Sequence, residues 1–160
     1  MRLYHGSNIA VPRPLASSGR PMLDFGQGFY LTSYAEQAAN WARRKAMRSG
    51  GSPTLNVYEF DDCPAGLRFL RFDRNDADWV NFVCACRRGE VGYKSYDVIV
   101  GGVADDKVFA AVDFYARGLW TLEQTLEALR YYKRNDQYCL VTQHVIDERL
   151  RFVGFEEVIA

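Results

Sequence analysis

Histidine is scarce in this chain: only two, His5 and His144, occur in 160 residues. That scarcity argues against a histidine-rich metal centre and confines imidazole chemistry to two positions. Charge of one sign is missing too, because 20 Lys and Arg offset 20 Asp and Glu. No global field therefore draws the chain to nucleic acid or to an anionic membrane. No run of side chains is apolar enough to span a bilayer. The amino-terminal MRLYHGSN lacks the basic stretch and apolar core of a signal peptide, which points to a reducing cytosol. There the four cysteines, Cys63, Cys84, Cys86 and Cys139, are expected to be free and mostly buried. Only Cys84 and Cys86 lie close together, and C-A-C has no second ligand pair with which to hold zinc.

What remains is globular: 48 % of the residues are apolar, 14 % aromatic and 25 % charged. At this length one domain over residues 1–160 is the expectation. LYHGS at 3–7 reads as a strand entering a turn, and 11–25 as a surface loop. SYAE at 33–36 has the form of a capping box, which predicts a helix over 34–48 with an alanine face and a basic last turn. LNVYEF at 55–60, LRFLRF at 67–72 and QYCLVT at 137–142 read as strands, as does RFVGFEEV at 151–158 after a short helical piece. YDVIVGG at 96–102 is a continuous apolar run, the pattern of a strand buried on both faces. Helices are predicted over 79–88, through about Ala116, and from a second capping box, TLEQ at 121–124, to the basic pair Lys133 and Arg134. Strands at both ends with helices between them give an α+β domain.

Three segments carry the chemistry. In His5-Gly6-Ser7 the glycine lets the main chain approach a ligand, and its N–H and C=O can pair with a planar amide. In DFGQGFYLT at 24–32 a dinucleotide fingerprint fails, since its third glycine would fall on Leu31. What survives is a glycine-lined approach to Phe29 and Tyr30, followed on the helix by Trp41. Two such rings can sandwich a flat heterocycle, each contact adding about 0.5–1.5 kcal/mol beyond area burial. For each ring taken singly, packing into the core is the simpler role. The third segment is NDQYCLV at 135–141. His144 reads as an ordinary, partly exposed histidine.

The order LYHGS, GQGFYLTSYAEQAANWA, NDQYCLV resembles the ADP-ribosyltransferase fold of the diphtheria-toxin and poly(ADP-ribose) polymerase branch. That branch has His-Gly on its first strand, then G-x-G-x-Y-[FL]-[AT] running into a helix with A-N-aromatic, and a late N-E-Y-[IV] strand. The chain also resembles small bacterial proteins of an uncharacterised ADP-ribosyltransferase-like family that carry D-F-G-x-G-F-Y-[LT]-T, some of them similar to toxins of toxin–antitoxin pairs. The resemblance implies a split mixed β-sheet with flanking helices and NAD as substrate. His5 would bond the adenosine ribose and the Gly6 main chain would clamp the carboxamide. Tyr30 and Trp41 would stack on the nicotinamide, and Gln137 would reach the 2′-hydroxyl of its ribose. Ser7 is a further candidate ribose contact, Phe29 lines the approach, and Arg20 is a candidate for the pyrophosphate. His5, Tyr30 and Gln137 stand where the branch has its catalytic residues.

Two positions depart from the branch. Ala38 replaces a serine that bonds the carboxamide, a hydrogen bond worth about 0.5–1.5 kcal/mol. Gln137 replaces a glutamate that stabilises the cation-like sugar, so a Gln137→Glu change is expected to raise NAD hydrolysis. Asp136 would face the other side of its strand, and Asp105 and Asp106 fall in a turn, so none obviously substitutes. The expectation is single transfer of ADP-ribose onto a macromolecular acceptor, protein or nucleic acid, with an antitoxin-like protein as a candidate partner. An NAD glycohydrolase, or a degenerate module that binds NAD, ADP-ribose or a protein, are the rival readings. Cys84 or Cys86 as a nucleophile is a third, lacking a base. Arg68, Arg71, Arg74, Arg87 and Arg88 are candidates for target contact, or simply a solvated face.

Overall fold

The computed structural model describes residues 1–104, 106–131 and 135–159. Among the described residues seven strands and five α-helices follow one another as β1 (Arg2–Ser7), β2 (Phe29–Leu31), α1 (Ala35–Ser49), β3 (Thr54–Phe60), β4 (Phe69–Arg71), α2 (Ala77–Arg87), β5 (Val98–Gly101), α3 (Asp106–Ala116), α4 (Leu122–Leu129), β6 (Gln137–Leu140), α5 (Gln143–Arg149) and β7 (Leu150–Glu157). They form an α+β domain with two sheets. In the first, β3 lies between β1 and β7, antiparallel to both; in the second the order is β2-β6-β5-β4, with only β4 and β5 parallel. Among the described residues one pairing, Tyr4 with Thr32, joins the sheets.

Alternation along the second sheet explains its burial. Val98, Val100, Tyr138 and Leu140 face Leu3, Phe29, Tyr58 and Phe60 in the core between the sheets. Ile99 and Cys139 face the opposite way, against Phe25, Trp79, Val83 and Val112 beneath α2 and α3. β5 is thus buried on both faces, as its unbroken apolar run requires. Each fully buried Val, Leu, Ile or Phe contributes roughly 1.5–3 kcal/mol to this arrangement.

α1 packs on β1 through Ala38, Ala39, Ala42 and Ala46. The small side chains let helix and strand backbones close up until a Cβ on Gly6 would stand 1.9 Å from the Ala38 carbonyl oxygen. Only glycine fits there. The capping box at 121–124 forms as expected, with Thr121 and Gln124 bonding reciprocally. The one at 33–36 does not: Tyr34 is the N-cap, and it makes no side-chain cap bond. Ser33 instead gives its hydroxyl and its N–H to Asp136, which also accepts from the Thr32 hydroxyl at 2.8 Å. A long-range carboxylate has displaced the local partner. Asp106 opens α3 and does not sit in a turn, while Asp105, Lys133 and Arg134 fall outside the described residues.

Among the described residues no helix is long and apolar enough to cross a membrane. Because Asp136 ties β6 to the β2–α1 junction through three donors, Asp136→Ala should lower stability by about 1–3 kcal/mol. Urea unfolding checks this, the midpoint falling with an unchanged slope.

Candidate functional site

The site residues of β1 and β2 meet where the two sheets join. Tyr4 and Thr32 exchange N–H···O=C bonds of 2.8 and 2.9 Å. In an antiparallel ladder successive residues aim their main-chain groups to opposite edges. The Gly6 N–H and C=O therefore aim to the same edge as those of Tyr4, one step beyond the point where pairing with β2 ends. That places an amide-sized donor and acceptor at the mouth between diverging strands.

His5 Nδ1 lies 2.7 Å from the Tyr30 carbonyl oxygen. The carbonyl can only accept, so Nδ1 carries the proton and Nε2 keeps its lone pair. Burial depresses the His5 pKa to about 4, with the Lys45 ammonium adding to the shift against the Tyr30 bond, so the ring is neutral at neutral pH. Nε2 has no donor among the described residues. It is not fully enclosed, since no fully buried side-chain polar atom there lacks a partner. The Phe29 ring supports the imidazole at 4.5 Å.

Tyr30 points to the other side of β2. Its hydroxyl donates to the Gly26 carbonyl at 2.7 Å and accepts from Phe25 N–H at 3.0 Å. Burial holds its pKa well above 10, so Tyr30 offers a fixed ring and no proton-transfer group. Gly26, at φ 76°, turns the chain for that carbonyl to face back. Opposite Tyr30 on β6 stands Cys139, and Gln137 two residues earlier shares its face. The Gln137 amide nitrogen donates to Asp24 Oδ2 at 3.0 Å and to the Gly102 carbonyl at 3.1 Å. Asp136 faces away, as its bonds to Thr32 and Ser33 require.

Trp41 is half-buried on α1, one turn beyond the Ala38 carbonyl that abuts Gly6. Among the described residues neither Tyr30 nor Trp41 stacks on another ring. Arg20 is exposed, in the loop held over β2 by Gln27, whose amide donates to the Ser17 and Gly19 carbonyls. Two candidates are corrected. Phe29 is 4 % exposed and belongs to the core between the sheets, where β-strand alternation sends it away from the Tyr30 side. Ser7 is fully buried and its hydroxyl accepts from Lys45 at 3.2 Å, so it is not available to a ribose.

Asp24 was missed by sequence reasoning because its partners are all distant in the chain. Its Oδ1 accepts from Arg87 at 2.6 and 3.0 Å, and its Oδ2 from Ala104 N–H at 3.1 Å as well as from Gln137. Arg87 also lies over the Phe109 ring at 4.3 Å, so it is not a solvated cation of a target-binding face. Burial raises the pKa values of Cys84 and Cys86, the latter to about 12, which removes either thiol as a nucleophile at neutral pH. All four cysteines are free, and only Cys63 is exposed.

Two surface clefts lie elsewhere. One of about 620 Å³ is lined by Glu59, Asp61, Asp147 and Glu148 together with Arg149, Arg151 and the amino-terminal Met1, with Arg149 paired to Asp61 at 2.6 Å. The other, about 310 Å³, runs over the outer face of the first sheet by Tyr4, Val57 and Phe155.

The buried neutral His5 predicts a pH effect. Its folded pKa of about 4 lies below the unfolded value of 6.5, so the unfolded chain takes the proton first. Its contribution is complete above pH 6.5 and is lost as pH falls toward about 4. The difference corresponds to about 3 kcal/mol. Comparing chemical denaturation of the parent and His5→Gln across this window isolates the term, and the gap between them should close as the solution is acidified.

No curated protein and no solved structure matches this sequence. A family model does, over residues 1–152, nearly the whole chain. The protein with this β1–β2 junction and this buried Asp24–Gln137 contact belongs to the family described as Protein of unknown function (DUF3990).

Proposed function

We propose that this protein is an NAD-dependent mono-ADP-ribosyltransferase with an ADP-ribosyltransferase-like split sheet. The observation that carries the reading is a pair of free acceptors on otherwise saturated side chains. His5 Nε2 and Gln137 Oε1 each lack a donor among the described residues, each belongs to a side chain fixed by its other atoms, and each suits a sugar hydroxyl. The open edge at Gly6 suits a carboxamide, and Tyr30 and Trp41 supply flat apolar surface for a pyridine ring.

In this reading His5 accepts from the adenosine ribose and Gln137 from the 2′-hydroxyl of the nicotinamide ribose. The bond from C1′ to the nicotinamide nitrogen breaks with its electron pair leaving on nicotinamide. An acceptor lone pair closes on C1′, and the acceptor proton passes to solvent. The cation-like sugar meets the Gln137 carbonyl dipole in place of a full charge, which favours acceptors that bring their own nucleophilicity. A macromolecular acceptor, protein or nucleic acid, and an antitoxin-like partner follow by analogy with toxin relatives of the fold. Free thiols at all four cysteines fit a reducing cytosol.

The test is to incubate the pure chain with NAD and follow free nicotinamide, alone and with candidate acceptors. His5→Ala and Tyr30→Ala should weaken NAD binding and turnover, and Gln137→Ala should cost on the order of 10²–10³ in rate. Binding without nicotinamide release would identify a binding module, release without an acceptor a glycohydrolase. If NAD is neither bound nor consumed, the reading fails.

A further inference from the structure

We infer that Asp24 is the positioning residue of this site: it fixes the Gln137 amide so that the carbonyl oxygen alone is offered to a ligand hydroxyl, and it is the reason an amide stands where an acid is expected. The identity of that hydroxyl rests on the NAD reading, but the positioning does not.

Gln137 is only 3 % exposed, so its bonds are made in a medium where an unmatched polar atom is costly. Both amide protons are committed, one to Asp24 Oδ2 at 3.0 Å and one to the Gly102 carbonyl at 3.1 Å. A flipped amide would set Oε1 against two atoms that can only accept, losing two hydrogen bonds and gaining two repulsions. Asp24 cannot swing aside to permit it. Arg87 grips Oδ1 with two N–H groups and Ala104 N–H holds Oδ2 at 3.1 Å. With four donors in place, the carboxylate is itself saturated and acts on a ligand only through Gln137.

The expectation for Gln137→Glu therefore reverses. A glutamate there would bring its second oxygen to the place of the amide nitrogen, within hydrogen-bond distance of a carboxylate and a carbonyl and with no proton between them. Asp24→Asn combined with Gln137→Glu restores a donor: the amide introduced at position 24 can give to the carboxylate introduced at position 137, while its carbonyl still accepts from Arg87. The costs are the Ala104 N–H, which loses its acceptor, and the Gly102 carbonyl, which still faces a carboxylate oxygen.

The experiment compares the full chain with Gln137→Glu, Asp24→Asn and the double variant by urea denaturation at about pH 5 and about pH 8, alongside NAD turnover. Gln137→Glu should lose more stability at the higher pH. A carboxyl whose proton affinity is raised in the fold destabilises as pH climbs past its unfolded value of about 4.3. The double variant should show a clearly smaller pH dependence and be more stable than the sum of the single effects implies. In turnover, Asp24→Asn should cut kcat about tenfold or more with KM for NAD nearly unchanged, and the double variant should exceed Gln137→Glu by a similar factor. Additive effects with a pH-independent deficit in Gln137→Glu would overturn the proposal. Should Asp24→Asn fail to fold, the pH dependence of Gln137→Glu decides alone. Coupling between the two positions in a chain that neither binds nor consumes NAD would support the positioning and overturn the NAD reading.

Discussion

The pairing of Tyr4 with Thr32 is the constraint on which the candidate site depends. Among the described residues, two reciprocal main-chain bonds are all that join the ladders of the two sheets. Because the pairing stops there, β1 and β2 diverge, and the residues next along β1 face an opening. His5 spans the first step of that divergence by bonding the Tyr30 carbonyl, and Gly6 lies at the second. α1 then closes the far side, its approach limited by the contact between the Ala38 carbonyl and Gly6. A longer ladder between β1 and β2 would have consumed the Gly6 main chain; a bulkier residue at 6 would have pushed α1, and Trp41 with it, outward.

Around this junction the polar side chains divide into two kinds. Asp136, Asn56 and Asp24 are structural because every strong acceptor they carry is used. Asn56, wholly buried, accepts from Val11 N–H and donates to the His5 and Ile9 carbonyls, so it pins the loop that leaves β1. His5 and Gln137 differ in that each keeps one acceptor unmatched while its other atoms are held. Neither atom is fully enclosed, so each can meet water in the free protein and a ligand hydroxyl in its place.

How much of this could be read beforehand depended on sequence distance. The α+β class, the doubly buried β5 and the capping box at Thr121 follow from periodicity and local chemistry, and the structure agrees with each. Ser33 misled because its capping partner three residues on was outcompeted by Asp136, 103 residues away. Asp24 and Arg87 are 63 residues apart, and nothing local marks either as one half of an ion pair. Phe29 beside Tyr30 shows the limit of reading a motif without its strand. Neighbours on a strand face opposite ways, so a motif with two aromatic residues in succession could deliver only one ring to the Tyr30 side.

The same logic explains why the late strand opens with an amide. A carboxylate at 137 needs donors, yet the two protein groups that face the position are Asp24 and the Gly102 carbonyl, both acceptors. Removing Asp24 to make room would leave the Arg87 guanidinium, 19 % exposed in its side chain, without its counter-ion, a change that typically costs 3–5 kcal/mol in buried pairs and somewhat less in one as partly wetted as this. Ionised acids at 137 and at 24 thus destabilise one another, and the chain has placed its single negative charge where it braces α2 against the β5–α3 turn. On the NAD reading the consequence falls on the acceptor. With Asp24 saturated and Gln137 neutral, neither group can take a proton from an incoming hydroxyl, so the site is suited to acceptors that are anionic or already nucleophilic.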